Sequence, residues 1–493
     1  MKLWTNGIFH SLDDGKIYHK MTTHLGKIIC FDEDCFYPSY DEVIDLKGAH
    51  VYPGFVDAHM HLLGYGQKLT RPNLSHVKTK EEALKCIKEA FHHEPLFVEG
   101  YRENGITKED LDHISNDVPI MLRHNDYHSL TANSAVLKKI NLLHTQGVLT
   151  EEDATEAMRT WPPYTIEQLE RILEKSIQSL YAYGITGAHS DDLSYFIGFK
   201  DTLRAFENVL ERIPFRAHLL MHYDILNDYI QSSKPFLDQN KYLSLGAIKM
   251  FYDGTLSSKT AYMKTTYQGT NHHGLKIQTD KVFEKMVMKC RSYGLPVAVH
   301  VIGDQGLINV CELLKKHPPR EGFHDRLIHT PWVDEKGLKL MKEIPCVLDV
   351  QPQFLSSDLP WAFNFLNEKP TYIFPWKTLK DHGLIQAGSS DAPVEIPNPL
   401  LGIYASVYRI SDHDGKTYGE EEKLSLNEAI ELYTIGANYP TYDPYRGKLK
   451  RGFVADLTIF KKDLHALTQE EFKEPQVYMT VIDEQIVYKT SQS

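Results

Sequence analysis

The chain opens and closes on short runs in which apolar and polar positions alternate with period two. Lys2-Leu3-Trp4-Thr5-Asn6-Gly7 ends in an Asn-Gly turn signal, and Gly26-Lys27-Ile28-Ile29-Cys30-Phe31 and Glu42-Val43-Ile44-Asp45-Leu46 follow it. Near the other end, Phe453-Val454-Ala455-Asp456-Leu457-Thr458-Ile459-Phe460 and Val477-Tyr478-Met479-Thr480-Val481-Ile482 are β-branched and aromatic runs bounded by charge and glycine. These strand-rich ends predict one small β-sandwich domain built from residues 1–52 and 445–493 together. Between them the pattern changes. Apolar runs of strand length at 54–61, 119–123, 185–189, 215–222, 247–252, 297–301, 327–329, 347–350 and 384–387 alternate with stretches such as 166–183 and 281–293, where apolar residues recur at helical spacing. Alternating strands and helices imply βαβ units and a parallel sheet. Nine strands are one more than a (β/α)8 barrel needs, and 119–123 is assigned to an insertion, or lid, at about 63–165. The expected fold is α/β, a TIM-type barrel over 53–444 beside the β-sandwich.

Composition adds exclusions. The 493 residues are 42% hydrophobic and 24% charged, which is ordinary globular composition. The net charge of −12 argues against a nucleic-acid groove or an anionic membrane as the main partner, because both recruit clustered Lys and Arg. No apolar run approaches the roughly 18 residues that span a bilayer. Met1-Lys2-Leu3-Trp4-Thr5-Asn6-Gly7 turns polar before a signal-peptide core can form, so a soluble cytoplasmic protein is expected. The six cysteines include no CxxC pair and are read as reduced thiols.

Candidate chemistry gathers at strand ends. Pro53-Gly54-Phe55-Val56-Asp57-Ala58-His59-Met60-His61 finishes an apolar strand in His-x-His, and period-two geometry puts both imidazoles on one face. Two neutral imidazoles suit a cation such as Zn²⁺. Two unrelated histidines in a chain with 25 of them would look the same. Context favours the metal. His300 and His329 end apolar strands, and Asp391 follows another in Leu384-Ile385-Gln386-Ala387-Gly388-Ser389-Ser390-Asp391. Groups at the C-terminal ends of barrel strands share one rim. The other 21 histidines read as surface or core residues unless noted below. Lys249 stands inside the apolar run Ala247-Ile248-Lys249-Met250-Phe251. An ammonium has donors only, but burial frees the amine to add CO₂, and the carbamate so formed could bridge two cations. The alternative is a lysine paired to Asp391 beside a single metal.

The order His-x-His, Lys, His, His, Asp along a βα pattern resembles the amidohydrolase superfamily, metal-dependent hydrolases on a distorted (β/α)8 barrel. Within it the chain is similar to the YtcJ-like branch, amidohydrolase family 3, which includes N-substituted formamide deformylases. The similar segments run nearly end to end: 54–61, 125–133 with Ala135, 184–186, 249–261, 300–304, 351–352, 388–393 with 398–399, 434–437 and 452–457. The resemblance implies two divalent ions, zinc by preference. His59, His61 and Asp391 would bind the first, His300 and His329 the second, and a carboxylated Lys249 would bridge them. Where the family usually carries an acid after Gly-Ile-Thr, Gly187-Ala188-His189-Ser190-Asp191 is read as supplying His189 instead.

The implied reaction is hydrolysis of a C–N bond other than a peptide bond, in an amide, formamide or cyclic amide, by a metal-activated hydroxide. Asp391 would be the general base and proton shuttle, with Lys249 the second catalytic residue. Expected substrate contacts are His128, from within the insertion, and Asp253, Tyr267, Trp332 and Gln351, which follow ligand-bearing strands. The partner is a small-molecule substrate, and a homodimer is the assembly the resemblance suggests. A function of another class, a catalytically retired barrel acting as a regulatory or binding protein, is opposed by intact residues at all six ligand positions.

Overall fold

Eight parallel strands form the central sheet of the protein, in a computed structural model that describes residues 1–35, 37–102, 104–124, 129–237, 240–474 and 476–490. They are β1 (Phe55–Met60), β2 (Ile185–Ser190), β3 (Arg216–His222), β4 (Leu243–Phe251), β5 (Val297–Val301), β6 (Asp325–His329), β7 (Cys346–Val350) and β8 (Ile385–Gly388), paired in chain order. Their residues are almost all buried, as strands covered on both faces must be. Helices such as Phe199–Leu210, Asp280–Ser292 and Asp304–Lys316 follow β2, β4 and β5. Phe199–Leu210 buries Phe199, Leu203, Phe206 and Leu210 on one stripe, the spacing that lets a helix cover a sheet. This is the α/β barrel that the strand count predicts.

The sheet is not laddered all the way round. Among the described residues no strand pairing joins β1 to β8. Local hydrogen bonds cross that seam instead: the Asp391 N–H donates to the His59 carbonyl at 2.8 Å, and the His61 N–H to the Ala392 carbonyl at 2.7 Å. The Asp57 carboxylate accepts from the Ser390 hydroxyl at 2.5 Å and from its backbone N–H at 3.2 Å.

Two further sheets enclose one apolar cluster that includes Trp4, Phe9, Met21, Val51, Leu457, Ile459 and Val481. One has four strands, in the order Lys27–Phe31, Met21–His24, Lys2–Thr5, Glu42–Asp45. The other has six, in the order Gln485–Lys489, Val477–Ile482, Leu457–Phe460, His50–Pro53, Ile8–His10, Ile17–Tyr18, so residues from both chain ends share it. Residues 1–65 and 176–493 form one compact unit and 66–175 a second. The second has its own sheet, Val148–Thr150, Ser129–Ala132, Ile120–His124, Leu96–Tyr101, and the run at 119–123 belongs there rather than to the barrel. Val98, Ile120 and Leu122 pack with Ala83 and Ile87 of helix Lys80–Ala90, whereas Phe97 and Met121 pack with Ala154 and Ala157. Alternate residues of each strand thus serve two small cores.

Candidate active site

The strands that carry polar residues at their C-terminal ends bring them to one cavity of about 340 Å³. His59 and His61 arrive at the end of β1, Lys249 on β4, His300 on β5, His329 as the last residue of β6, and Asp391 three residues past β8; all six line the cavity. His59 Nε2 and His61 Nε2 lie 3.5 and 3.7 Å from Asp391 Oδ1. His300 Nδ1 and His329 Nε2 are 3.1 Å apart. His329 and Asp391 adopt left-handed backbone, with φ of +80° and +55°. For non-glycine residues this costs about 1–3 kcal/mol and collects at functional sites.

Hydrogen bonding fixes which ring nitrogens face inward. Gln351 Nε2 donates to the Asp349 carbonyl at 3.1 Å, which orients its amide and turns Oε1 toward His329 Nδ1 at 2.8 Å. His329 Nδ1 must therefore carry the proton, leaving Nε2 as a lone pair. His300 Nε2 donates to the Gly254 carbonyl at 3.2 Å, so its Nδ1 is a lone pair as well. Two acceptors facing each other at 3.1 Å repel unless a cation lies between them. The same logic holds at His61, whose Nδ1 faces the Asp191 carboxylate at 2.8 Å and whose Nε2 is left for the Asp391 side. This donor set fits a divalent metal.

The electrostatics follow the burial. Burial, with help from the Lys249 charge, pushes His300 down to about 3 and His59 well below the usual imidazole range, which keeps both neutral as ligands must be. Burial also lowers His61, but the Asp191 carboxylate outweighs it and holds the ring up at about 9, so a metal binding at Nε2 must displace a proton from it. Asp391 is pushed up to about 6 by burial, against the pull of His61 and Lys249. Lys249 lies 3.3 Å from His59 Nε2 and 3.6 Å from Asp191 Oδ2, so its nearest carboxylate is Asp191 rather than the expected Asp391.

Asp191 is the residue that sequence reasoning missed. His189, expected in place of the family acid, points instead into the barrel interior, where its ring lies 4.7 Å from that of His218. The acid comes two residues later, just past β2, fully buried against His61. Its position on the strand-end rim was the available signal.

Of the expected substrate contacts, Trp332 lines the cavity, together with Phe354 and Trp361, and with Asp358 and Glu395, none of which was expected. Three other assignments are corrected or redirected. Asp253 accepts from the backbone N–H groups of Tyr262, Ile302 and Gly303 at 2.8–3.0 Å, so its oxygens hold loops together. Tyr267 is buried, and its hydroxyl donates to the Ala261 carbonyl at 2.8 Å. Gln351 serves His329 and does not line the cavity wall. His128 lies outside the described residues.

Comparison with known proteins identifies the family to which the chain belongs. YtcJ of Bacillus subtilis (strain 168) is 35% identical over 484 residues, covering 91% of both chains. The N-substituted formamide deformylase of Arthrobacter pascens is 22% identical over 500 residues, 92% of this chain and 91% of that one. The crystal structure of an uncharacterized metal-dependent hydrolase from Pyrococcus furiosus superposes with a TM-score of 0.82 over 94% of this chain and 99% of the other, at 24% identity. The model of the amidohydrolase family matches residues 42–488. Taken with a cavity whose lone pairs converge as a divalent cation requires, that match and the likeness to YtcJ establish that the chain belongs to the amidohydrolase family of hydrolases, in which a divalent metal is implied.

Proposed function

We propose that the protein hydrolyses a C–N bond other than a peptide bond, in an amide, formamide or cyclic amide, with two zinc ions as its resident metals. The reading rests on one observation above the rest: the inward lone pairs of His300 and His329, 3.1 Å apart, beside the converging His59, His61 and Asp391. Held by His59, His61, Asp391, His300 and His329, two cations would polarise a carbonyl and make a water acidic enough to attack at neutral pH. Asp391 would accept a proton at its carboxylate and pass it to the departing nitrogen. Burial shifts the Asp391 carboxyl up to about 6 before any cation is bound. Gln351, Gly254 and Asp191 hold the imidazoles in the tautomers that leave their lone pairs inward. Trp332, Phe354 and Trp361 offer an apolar wall to the substrate body and limit water around it.

Lys249, as a carbamate, would help to hold the two ions, together with His59, His61, Asp391, His300 and His329. Two dications bring four positive charges to a buried place, and a neutralising anion there is favoured over an ammonium. One observation favours a second reading. The Lys249 amine is 3.6 Å from Asp191 Oδ2, so an ion pair beside a single metal on His59, His61 and Asp391 is a coherent site.

The experiment is a screen of zinc-loaded protein against N-formyl amines, N-acyl amines, hydantoins and lactones, with metal content measured on the same sample. Turnover of a C–N substrate with about two zinc ions at the barrel mouth, located by anomalous scattering, is expected. Lactone turnover alone would redirect the reaction to esters, and one zinc at the barrel mouth with an unmodified Lys249 in electron density would select the second reading. Protein that holds no zinc and turns over nothing would fit a retired barrel.

A further inference from the structure

A second group of donor atoms sits at the end of the six-stranded sheet. His10 closes Ile8–His10 and His50 opens the neighbouring strand His50–Pro53, with Ile8 directly opposite His50. His50 also pairs with Phe460 on its other side, and Asp463 follows three residues later. Residues 10, 50 and 463 therefore meet only because both chain ends enter one sheet. His10 Nε2 is 3.0 Å from His50 Nδ1, and His50 Nδ1 is 3.9 Å from Asp463 Oδ1. One donor atom from each lies within 4.8 Å of the other two. Ligand atoms about 2.0–2.1 Å from a tetrahedral zinc stand roughly 3.3 Å from one another, so the observed spacings bracket that value.

The surroundings orient the three side chains. The His10 ring stacks on Tyr52 at 4.2 Å with its plane within 4° of parallel. The Tyr52 hydroxyl donates to Asp463 Oδ1 at 3.3 Å, and the His465 backbone N–H donates to the same oxygen at 3.0 Å. His465 itself is committed elsewhere: its Nδ1 meets Asp463 Oδ1 at 3.1 Å and its Nε2 meets Asn427 Oδ1 at 3.1 Å. Supporting partners of this kind are what fix the ligands of a metal site. Burial lowers His10 to about 4 and lowers His50 as well. The side chains of His50 and Asp463 are 13% and 34% exposed, which leaves an ion a path from solvent.

We propose that His10, His50 and Asp463 form a structural site for a zinc-class divalent cation, with water completing its coordination. The ion would tie the N-terminal strands to the segment after Leu457–Phe460. It is separate from the barrel centre in its residues and has no part in the hydrolysis.

The test uses the full chain, stripped with a chelator and dialysed against micromolar zinc. His59→Ala/His61→Ala removes two barrel ligands, and adding His300→Ala/His329→Ala removes two more. This variant is expected to keep about one zinc per chain and to show a thermal midpoint that rises with zinc. Adding His10→Gln/His50→Gln should remove both the bound zinc and the shift. Zinc binding that survives the His10→Gln/His50→Gln change, or no zinc in the barrel variant to begin with, overturns the site and leaves a plain histidine–histidine hydrogen bond. Should the barrel variant not fold, anomalous scattering at the zinc edge from crystals of the unaltered chain decides. A peak between His10 and His50 supports the site, and a peak at the barrel with none there refutes it.

Discussion

The barrel mouth and the end of the six-stranded sheet both gather imidazoles around an aspartate, but they are built for different work. At the mouth the donors come from β1, β5 and β6 and the turn after β8, and three of the imidazoles have an outer nitrogen tied to a carbonyl or carboxylate. They face a cavity of about 340 Å³ with aromatic walls. At the sheet end, three donors come from two adjacent strands and the loop after a third, are partly exposed, and share one crowded carboxylate oxygen. In the proposed reading the first arrangement would present a cation to a substrate. The second would join distant parts of the chain. Preorganised ligands alone do not make a catalyst; the adjoining space does.

The largest expected effect comes from His59→Ala, which should cut turnover by at least about 10³-fold because the metal supplies both electrophile and nucleophile. Atomic absorption on the same protein should show zinc lost from the barrel and the zinc at the sheet end retained. Loss of the sheet-end ion as well would mean that the two regions are not independent.

Next is Asp456→Asn. The Arg216 guanidinium on β3 grips Asp456 through Nε, and through Nη2 at 2.9 Å, and the pair is buried. Removing one member of a buried pair costs about 3–5 kcal/mol, to be read by urea unfolding. The Arg216 charge outweighs burial and holds the Asp456 carboxyl below its ordinary value. Its stabilisation is thus fully present above the unfolded-state value of about 3.9 and is lost as pH falls through the lower folded value. In chelator, acid unfolding should lose this step below about pH 4 in Asp456→Asn.

Asp191→Asn comes third. The Asn side chain can still sit beside His61 but carries no charge, and 10–100-fold losses in barrel metal affinity and turnover are expected, followed by zinc titration. The sheet-end site should be unchanged. Smallest is His50→Gln, which should leave turnover within about twofold while lowering the thermal midpoint in zinc but not in chelator.

Much of the barrel was readable in the chain because strands buried on both faces leave continuous apolar runs, and polar residues that end them have few reasons to be there. His59, His61, His300, His329 and Asp391 stood out on that ground. Asp191 did not, because Ser190-Asp191-Asp192 looks like an ordinary polar loop and only the turn after β2 carries the carboxylate back over the rim. Asp253 and Tyr267 misled for the opposite reason. Standing after a ligand strand says nothing about whether a side chain turns to the cavity or to loop backbone, and both turned to backbone. His10, His50 and Asp463 had no local signature at all, since their meeting depends on strand pairing across most of the chain.

The seam between β1 and β8 has a mechanical consequence. His59 and His61 stand on one side of it and Asp391 on the other, at the one place among the described residues where local contacts rather than a strand ladder join the barrel. An ion held by all three would act as a latch, so loading the site and keeping the barrel shut would become a single linked equilibrium. Chelation should then open the molecule locally before it unfolds. Amide exchange would quicken first at His61 and Asp391, whose N–H groups cross the gap, while β4 to β6 stay protected.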